Sequence, residues 1–82
     1  MKQFTLKVTQ ADIDNGTTEH GKDAVSLALK RKFRNKNADI GFRMARNRKD
    51  IYEGTIEVEN YIRKILRKEK VEPAEFIFTE YI

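Results

Sequence analysis

Few residue types in this 82-residue chain could perform chemistry, and they are scattered. There is no cysteine, and the single histidine, His20, stands in a polar stretch where it is most simply solvated. Nucleophilic or acid–base catalysis needs a nucleophile and a base held together in a pocket. Walker-type and dinucleotide-binding glycine motifs are also missing. The sequence therefore predicts a protein that is not an enzyme and uses no cofactor.

A cluster of oxygen ligands in residues 12–16, DIDNG, invites a calcium interpretation, because hard cations prefer clustered oxygens. The spacing of a calcium-binding EF-hand loop is not met. Counted back from the glycine, a required acidic position falls on Ile13, and the bidentate acid falls on Lys22. We expect no metal site in this segment.

The distribution of cations is the main functional signal. The net charge is +4, yet residues 30–70 contain fourteen of the seventeen Lys and Arg residues and only six acids. Such asymmetry within one small chain favours an anionic partner. The candidate binding residues fall into three clusters, which are Lys30, Arg31, Lys32, Arg34 and Lys36, then Arg43, Arg46, Arg48 and Lys49, and then Arg63, Lys64, Arg67, Lys68 and Lys70.

Three interpretations of these cations stay open. Accessible cations are what phosphate contacts need, so a nucleic acid, either DNA or RNA, or a nucleoprotein is one candidate partner. The second is an acidic protein surface, such as a host complex that the protein inhibits or modulates, and the third is a merely solvated surface. Residues 41–44, GFRM, superficially resemble an RNA-reading motif. Phe42 shares a strand face with Ile40 and Met44, however, and we expect it in the core.

The elements that position the cations follow from hydrophobic periodicity. Alternation predicts strands over residues 2–8, 39–46, 50–57 and 75–82, with a tight turn at residues 47–48. Apolar spacings of three and four predict helices over residues 23–34 and 58–70. A capping box that begins at Thr9 predicts one further helical turn, which Asn15 and Gly16 end.

This element order predicts a single α+β domain over residues 1–82. The expected fold is a βαββαβ ferredoxin-like sandwich, a four-stranded antiparallel sheet with both main helices on one face. In that fold the strands lie in the order fourth, first, third, second. The outer faces of the helices would then form one basic helical face, with the cations of the second main helix beside the basic end of the first.

The last strand has an unusual composition, because it is apolar on both faces. Phe76 and Phe78 alternate with Ile77 and Tyr81, although this strand is expected at a sheet edge, where one apolar face suffices. An exposed apolar edge invites strand addition. We therefore predict a homodimer, or a partner protein, docking along residues 75–82 with Phe76, Ile77 and Tyr81 in the interface. Alternatively, the loop of residues 15–21 covers these side chains.

The setting of the protein follows from what the sequence lacks. No apolar run approaches the ~20 residues of a membrane span, and the first residues alternate like a strand, unlike a signal peptide. The absence of cysteine fits a reducing compartment. We expect a cytoplasmic protein with no membrane partner.

Three short motifs carry a resemblance. They are residues 9–16 (TQADIDNG), residues 27–29 (LAL) and residues 71–76 (VEPAEF). Together they resemble short proteins that are encoded in the genomes of tailed bacteriophages and have no general assigned function. The resemblance implies a phage-encoded protein that acts in the cytoplasm of an infected bacterium, and it implies no particular activity.

Overall fold

The computed structural model describes residues 2–81. Within them the chain forms one antiparallel sheet of five strands together with three helices, so the expectation of an α+β fold with an antiparallel sheet is confirmed. In chain order the elements are β1 (Gln3–Val8), α1 (Gln10–Asn15), α2 (Ala24–Phe33), β2 (Asp39–Gly41), β3 (Met44–Asn47), β4 (Asp50–Gly54), α3 (Ile56–Leu66) and β5 (Ala74–Glu80). The predicted last strand reached Ile82, which lies outside the described residues.

The strand order differs from the prediction. The sheet runs β1, β5, β4, β3, β2, so β1 lies at an edge and β5 lies between β1 and β4. The predicted four-stranded ferredoxin-like order, with the first strand inside the sheet and the last at an edge, is wrong.

The cause is one additional chain reversal. Residues 39–46, predicted as one strand, are two short strands, because Phe42 and Arg43 form a tight turn between the paired residues Gly41 and Met44. The extra reversal makes β4 run in the same direction as β1. These two strands therefore cannot pair antiparallel, and β5, which runs the other way, pairs with both of them.

The core lies on one face of the sheet. Alternate strand residues point into it, and α2 and α3 cover that face with Val25, Leu29, Val58 and Ile62. Across this face, α2 contacts both edge strands, β1 and β2. Four rings also pack on one another at centroid distances of 5.0 to 5.7 Å, those of Phe4, Phe33, Tyr52 and Phe78.

Local sequence signals fix the helix ends. The predicted capping box is present at α1, where Thr9 and Asp12 bond reciprocally. Asp23 caps α2 by accepting hydrogen bonds from the backbone N–H and the hydroxyl of Ser26, both at 2.9 Å. The last helix is displaced from the predicted residues 58–70, since it ends at Leu66 and Lys68 then adopts a positive φ of 61°.

Gly54 permits α3 to turn back closely onto the sheet. A Cβ at this position would lie 2.6 Å from Val58 Cγ1 and 2.9 Å from Phe78 Cε2. Both neighbours are completely buried, so neither has room to move away. Packing therefore requires a glycine at this position.

We expect the Gly54→Ala substitution to lower the free energy of unfolding by about 1 to 3 kcal/mol, because the added methyl group overpacks the core. Gly41→Ala is the matched control, since no atom lies within 4 Å of its Cβ position. The control should change stability by less than about 0.5 kcal/mol. Urea denaturation of both variants measures the difference, and equal stability would contradict this account of Gly54.

Candidate functional site

The cations predicted to form one basic helical face are divided between two ends of the molecule. Ala24, at the start of α2, lines the same cleft as Ile65 and Lys68 at the end of α3. The other end of α2 lies at Tyr52, on which the ring of Phe33 stacks. The two helices therefore bring their basic ends to opposite sides, and the predicted placement of the α3 cations beside the basic end of α2 is wrong.

Two cations of α2 are engaged in holding the fold together. Arg31 donates to the carboxylate of Asp12 at 2.5 Å and to the carbonyl oxygen of Lys7 at 2.9 Å. Lys30 Nζ donates to the carbonyl oxygen of Ala38 at 2.5 Å. Arg31 therefore ties α2 to α1 and β1, and Lys30 ties it to the segment before β2. A ligand would have to compete with these contacts.

The environment of Asp12 shows how firmly Arg31 is held. Burial by itself would raise the pKa of this carboxyl group, which is 5% exposed. The hydrogen bond from Arg31 and those from the backbone and hydroxyl of Thr9 outweigh burial, and the pKa of Asp12 lies below its usual value. The same bond raises the pKa of Arg31, so the pair stays charged.

Three arginines of the hairpin and α3 are paired with acids. Arg63 donates twice to Glu59, at 2.8 and 3.2 Å, and Arg43 Nε lies 3.6 Å from the other oxygen of Glu59. Arg67 donates to Glu69 at 2.5 Å. These charges are largely balanced within the chain.

Six exposed cations lie together at the end of the molecule where α2 stops and β3 turns into β4. The side-chain amide of Asn35 donates to that of Asn47 at 2.9 Å and joins the two segments. None of the six forms an ion pair with an acid within the described part of the chain, residues 2–81. We call this surface the basic end, and it comprises Lys32, Arg34, Lys36, Arg46, Arg48 and Lys49.

The backbone at the basic end presents the cations outward. Arg34, after the last residue of α2, and Arg48, in the β3–β4 turn, both have positive φ, of 51° and 58°. The predicted hairpin is present, but Asn47 pairs with Asp50, so its turn is formed by Arg48 and Lys49, one residue later than the predicted turn at residues 47–48. Lys64 of α3 and Lys68, two residues after the end of α3, also lack an acid partner within residues 2–81, but they lie away from this cluster.

The C-terminal strand is not the predicted edge. Residues 74–79 of β5 pair with β1 and residues 78–80 also pair with β4, so this strand lies inside the sheet. Phe76 is buried in the core against the ring of Tyr61. Docking of a partner protein along residues 75–82 stays a prediction. Ile77 and Tyr81 point to the opposite face of the sheet and are 54% and 58% exposed. The alternative that the loop of residues 15–21 covers them is wrong, because residues 16–20 of this loop line clefts beside α3, on the helix side of the sheet. A homodimer stays a prediction.

Two further titratable side chains, those of His20 and Tyr61, make contacts within the chain. Exposed His20 has its Nε2 atom 3.4 Å from Asp39 Oδ2. Burial raises the pKa of Tyr61 to about 12, and its hydroxyl donates to the carbonyl oxygen of Glu72 at 2.7 Å. Over residues 2–81, His, Cys, Asp and Glu nowhere gather in a group of three that could hold a metal ion. No helix in this part of the chain has the length and apolar character to cross a membrane.

Comparison with known proteins found no match for this chain among protein-family models, curated proteins or solved structures. The resemblance to short phage proteins therefore stays a prediction.

The Arg31→Met substitution should lower the free energy of unfolding by about 2 kcal/mol, because it removes charge-assisted hydrogen bonds and leaves Asp12 buried without a cation. Arg34→Met is the matched control, since Arg34 is exposed and belongs to no ion pair within residues 2–81. The control should stay within about 0.5 kcal/mol of the unaltered chain. Urea denaturation at pH 7 makes the comparison, and equal losses would contradict a structural role for Arg31.

Lowering the pH should weaken the ion pair between Asp12 and Arg31. The pKa of Asp12 in the folded protein is below the reference value of 3.8, so the unfolded chain takes up a proton first as the pH falls. The contribution of Asp12 to stability is present above the unfolded pKa and is lost as the pH falls through the folded pKa. Denaturation between pH 5 and pH 2 should therefore show a smaller acid-dependent loss in Asp12→Asn than in the unaltered chain. Identical pH profiles would contradict the lowered pKa.

Proposed function

We propose that this protein binds nucleic acid through the basic end and catalyses no reaction on it. The observation that carries the proposal is the difference between the two kinds of cation in the chain. Arg31, Arg43, Arg63 and Arg67 are engaged with acids, whereas the six cations of the basic end have no acid partner within residues 2–81. A phosphate that meets the basic end displaces counterions and breaks no internal ion pair, which is the favourable case for binding a polyanion.

The surroundings of the basic end favour contacts with phosphates over contacts with bases. The nearest rings, those of Phe4, Phe33 and Tyr52, are packed on one another, and Tyr52 is 7% exposed. Unpaired bases bind mainly by stacking on exposed rings. The basic end offers cations on two turns and a helix end, so it suits the regularly spaced phosphates of a duplex, read without regard to sequence.

The setting of this proposal is the one that the phage resemblance implies. A phage-encoded protein in the cytoplasm of an infected bacterium meets both phage and host nucleic acids. Binding without sequence preference requires no recognition element beyond the cations. The proposal therefore rests on charge placement alone, and salt is the variable that tests it.

The Arg48→Gln, Lys49→Gln double variant should bind a 20-base-pair DNA duplex more weakly than the unaltered chain. If both side chains contact phosphates, the slope of log K against log salt should become shallower by about 1.8. Lys64→Gln, Lys68→Gln is the matched control, because it removes the same charge from around the end of α3. Fluorescence anisotropy from 50 to 300 mM salt makes the measurement.

Three results decide the matter. A change of slope confined to the basic-end variant supports the proposal, and repeating the series with an RNA duplex and a single strand identifies the preferred nucleic acid. Equal changes in both double variants would show that total charge alone drives binding. Failure of the unaltered chain to bind any of the three nucleic acids at 50 mM salt would overturn the proposed function.

A further inference from the structure

A second surface of the protein has a different character from the basic end. It lies at the Phe42–Arg43 turn, whereas the Arg48–Lys49 turn lies at the other end of β3. A cleft there is lined by residues 18–20 of the loop before α2, by residues 40–42, and by Ile62 and Leu66 of α3. We call this surface the hairpin cleft. Phe42 and Leu66, on its two sides, are 50% and 47% exposed.

Phe42 adopts a backbone conformation that a large side chain normally avoids. Its φ is 55°, in the first position of a two-residue hairpin turn where glycine, asparagine or aspartate is usual. The expectation that Phe42 lies in the core is wrong, because this residue is 50% exposed. Strain of this kind persists where the surrounding structure holds it, and it concentrates at binding sites.

The surrounding structure does hold Phe42. The guanidinium of Arg63 lies over its ring, with 5.1 Å from Cζ to the ring centroid, and Glu59 fixes Arg63 through two hydrogen bonds. The carbonyl oxygen of Arg43 accepts a hydrogen bond of 2.7 Å from the backbone N–H of Gly54. The strained turn thus contacts both α3 and β4, and these contacts fix the position of the Phe42 ring.

The charges around the hairpin cleft are balanced, which separates it from the basic end. Arg43 and Arg63 share Glu59, and Arg43 also lies 3.8 Å from Glu53. Across the cleft, His20 Nε2 lies 3.4 Å from Asp39 Oδ2, and Lys22 is paired with Glu19. A polyanion would gain little binding energy at such a rim, because the arginines there are already paired with acids. An apolar centre with arginines and paired charges around it is the composition of a protein–protein interface.

We propose that the hairpin cleft is the docking site of a partner protein, which inserts one aliphatic or aromatic side chain between Phe42 and Leu66. The balanced rim selects a segment of low net charge, because a charged segment would lose solvation there without gaining an unpaired opposite charge. This surface is independent of nucleic-acid binding. It provides the chain with a site through which it can engage a protein while the basic end is occupied.

The test uses peptides as the probe. A displayed library of random 12-residue peptides is selected on the full-length chain, and the enriched peptide is synthesised and titrated by calorimetry. We expect one fixed position occupied by Leu, Ile, Met, Phe or Trp, a net charge near zero, and a loss of at least tenfold in affinity when that position becomes Ala. Failure to enrich any peptide would overturn the proposal, as would enrichment of uniformly acidic peptides.

Phe42→Gly separates binding from stability. Glycine accepts a positive φ, so the variant should unfold at the same temperature as the unaltered chain or higher, yet bind the peptide at least tenfold more weakly. Leu66→Ser removes the opposite side of the cleft without touching the turn and should weaken binding similarly. Tyr81→Gly is the control, because it removes a ring of similar exposure from the other face of the sheet.

The outcomes are distinct from those of the nucleic-acid experiment. Equal peptide affinity in the unaltered chain, Phe42→Gly and Leu66→Ser would overturn the proposal. So would displacement of the peptide by a DNA duplex, since the cleft would then belong to the polyanion surface. Concentration-dependent self-association that Phe42→Gly abolishes would name a second copy of this chain as the occupant and would overturn the assignment to a different protein.

Discussion

The bond between Asp12 and Arg31 is the contact on which the arrangement of the other elements depends. It links α1 to α2, and the second donation from Arg31, to the carbonyl oxygen of Lys7, links α2 to the edge of the sheet. Because α2 is held there, Arg34 and Asn35 at its end lie beside the β3–β4 turn. The side-chain amide of Asn35 donates a hydrogen bond to that of Asn47 there. Together with the buried apolar residues of α2, the carboxylate of Asp12 therefore helps to position the cations of the basic end.

The helices and most strands were predictable because their signals are local. Capping residues and apolar spacing depend on neighbours within a few positions, and Thr9 and Asp23 act as their types suggest. The reversal at Phe42 and Arg43 had no such signal. Ile40, Phe42 and Met44 alternate as in a continuous strand, and a positive φ at phenylalanine is not a preference that the sequence displays. Because the prediction lacked that single reversal, it gave β4 the wrong direction and the sheet the wrong strand order.

The candidate site was predictable as a set of cations but not as a surface. Which cations are available depends on acids that are distant in sequence. Arg31 meets Asp12 across 19 positions, and Arg43 meets Glu59 from a different element. Only the bond from Arg63 to Glu59 follows from helical spacing. From sequence, the same binding role was therefore predicted for cations that hold the fold together and for cations that face solvent. The tertiary contacts distinguish these two groups of cations.

The two proposed surfaces differ in the physical force that each would use. At the basic end, binding would release counterions, so its strength would fall steeply with salt. At the hairpin cleft, the charges are already balanced and binding would bury apolar side chains, which salt affects weakly. The two turns are separated by the four residues of β3, which span about 13 Å at the usual rise of a strand. On the two proposals together, a rise in salt would release a nucleic acid from the basic end and leave a protein segment bound in the hairpin cleft.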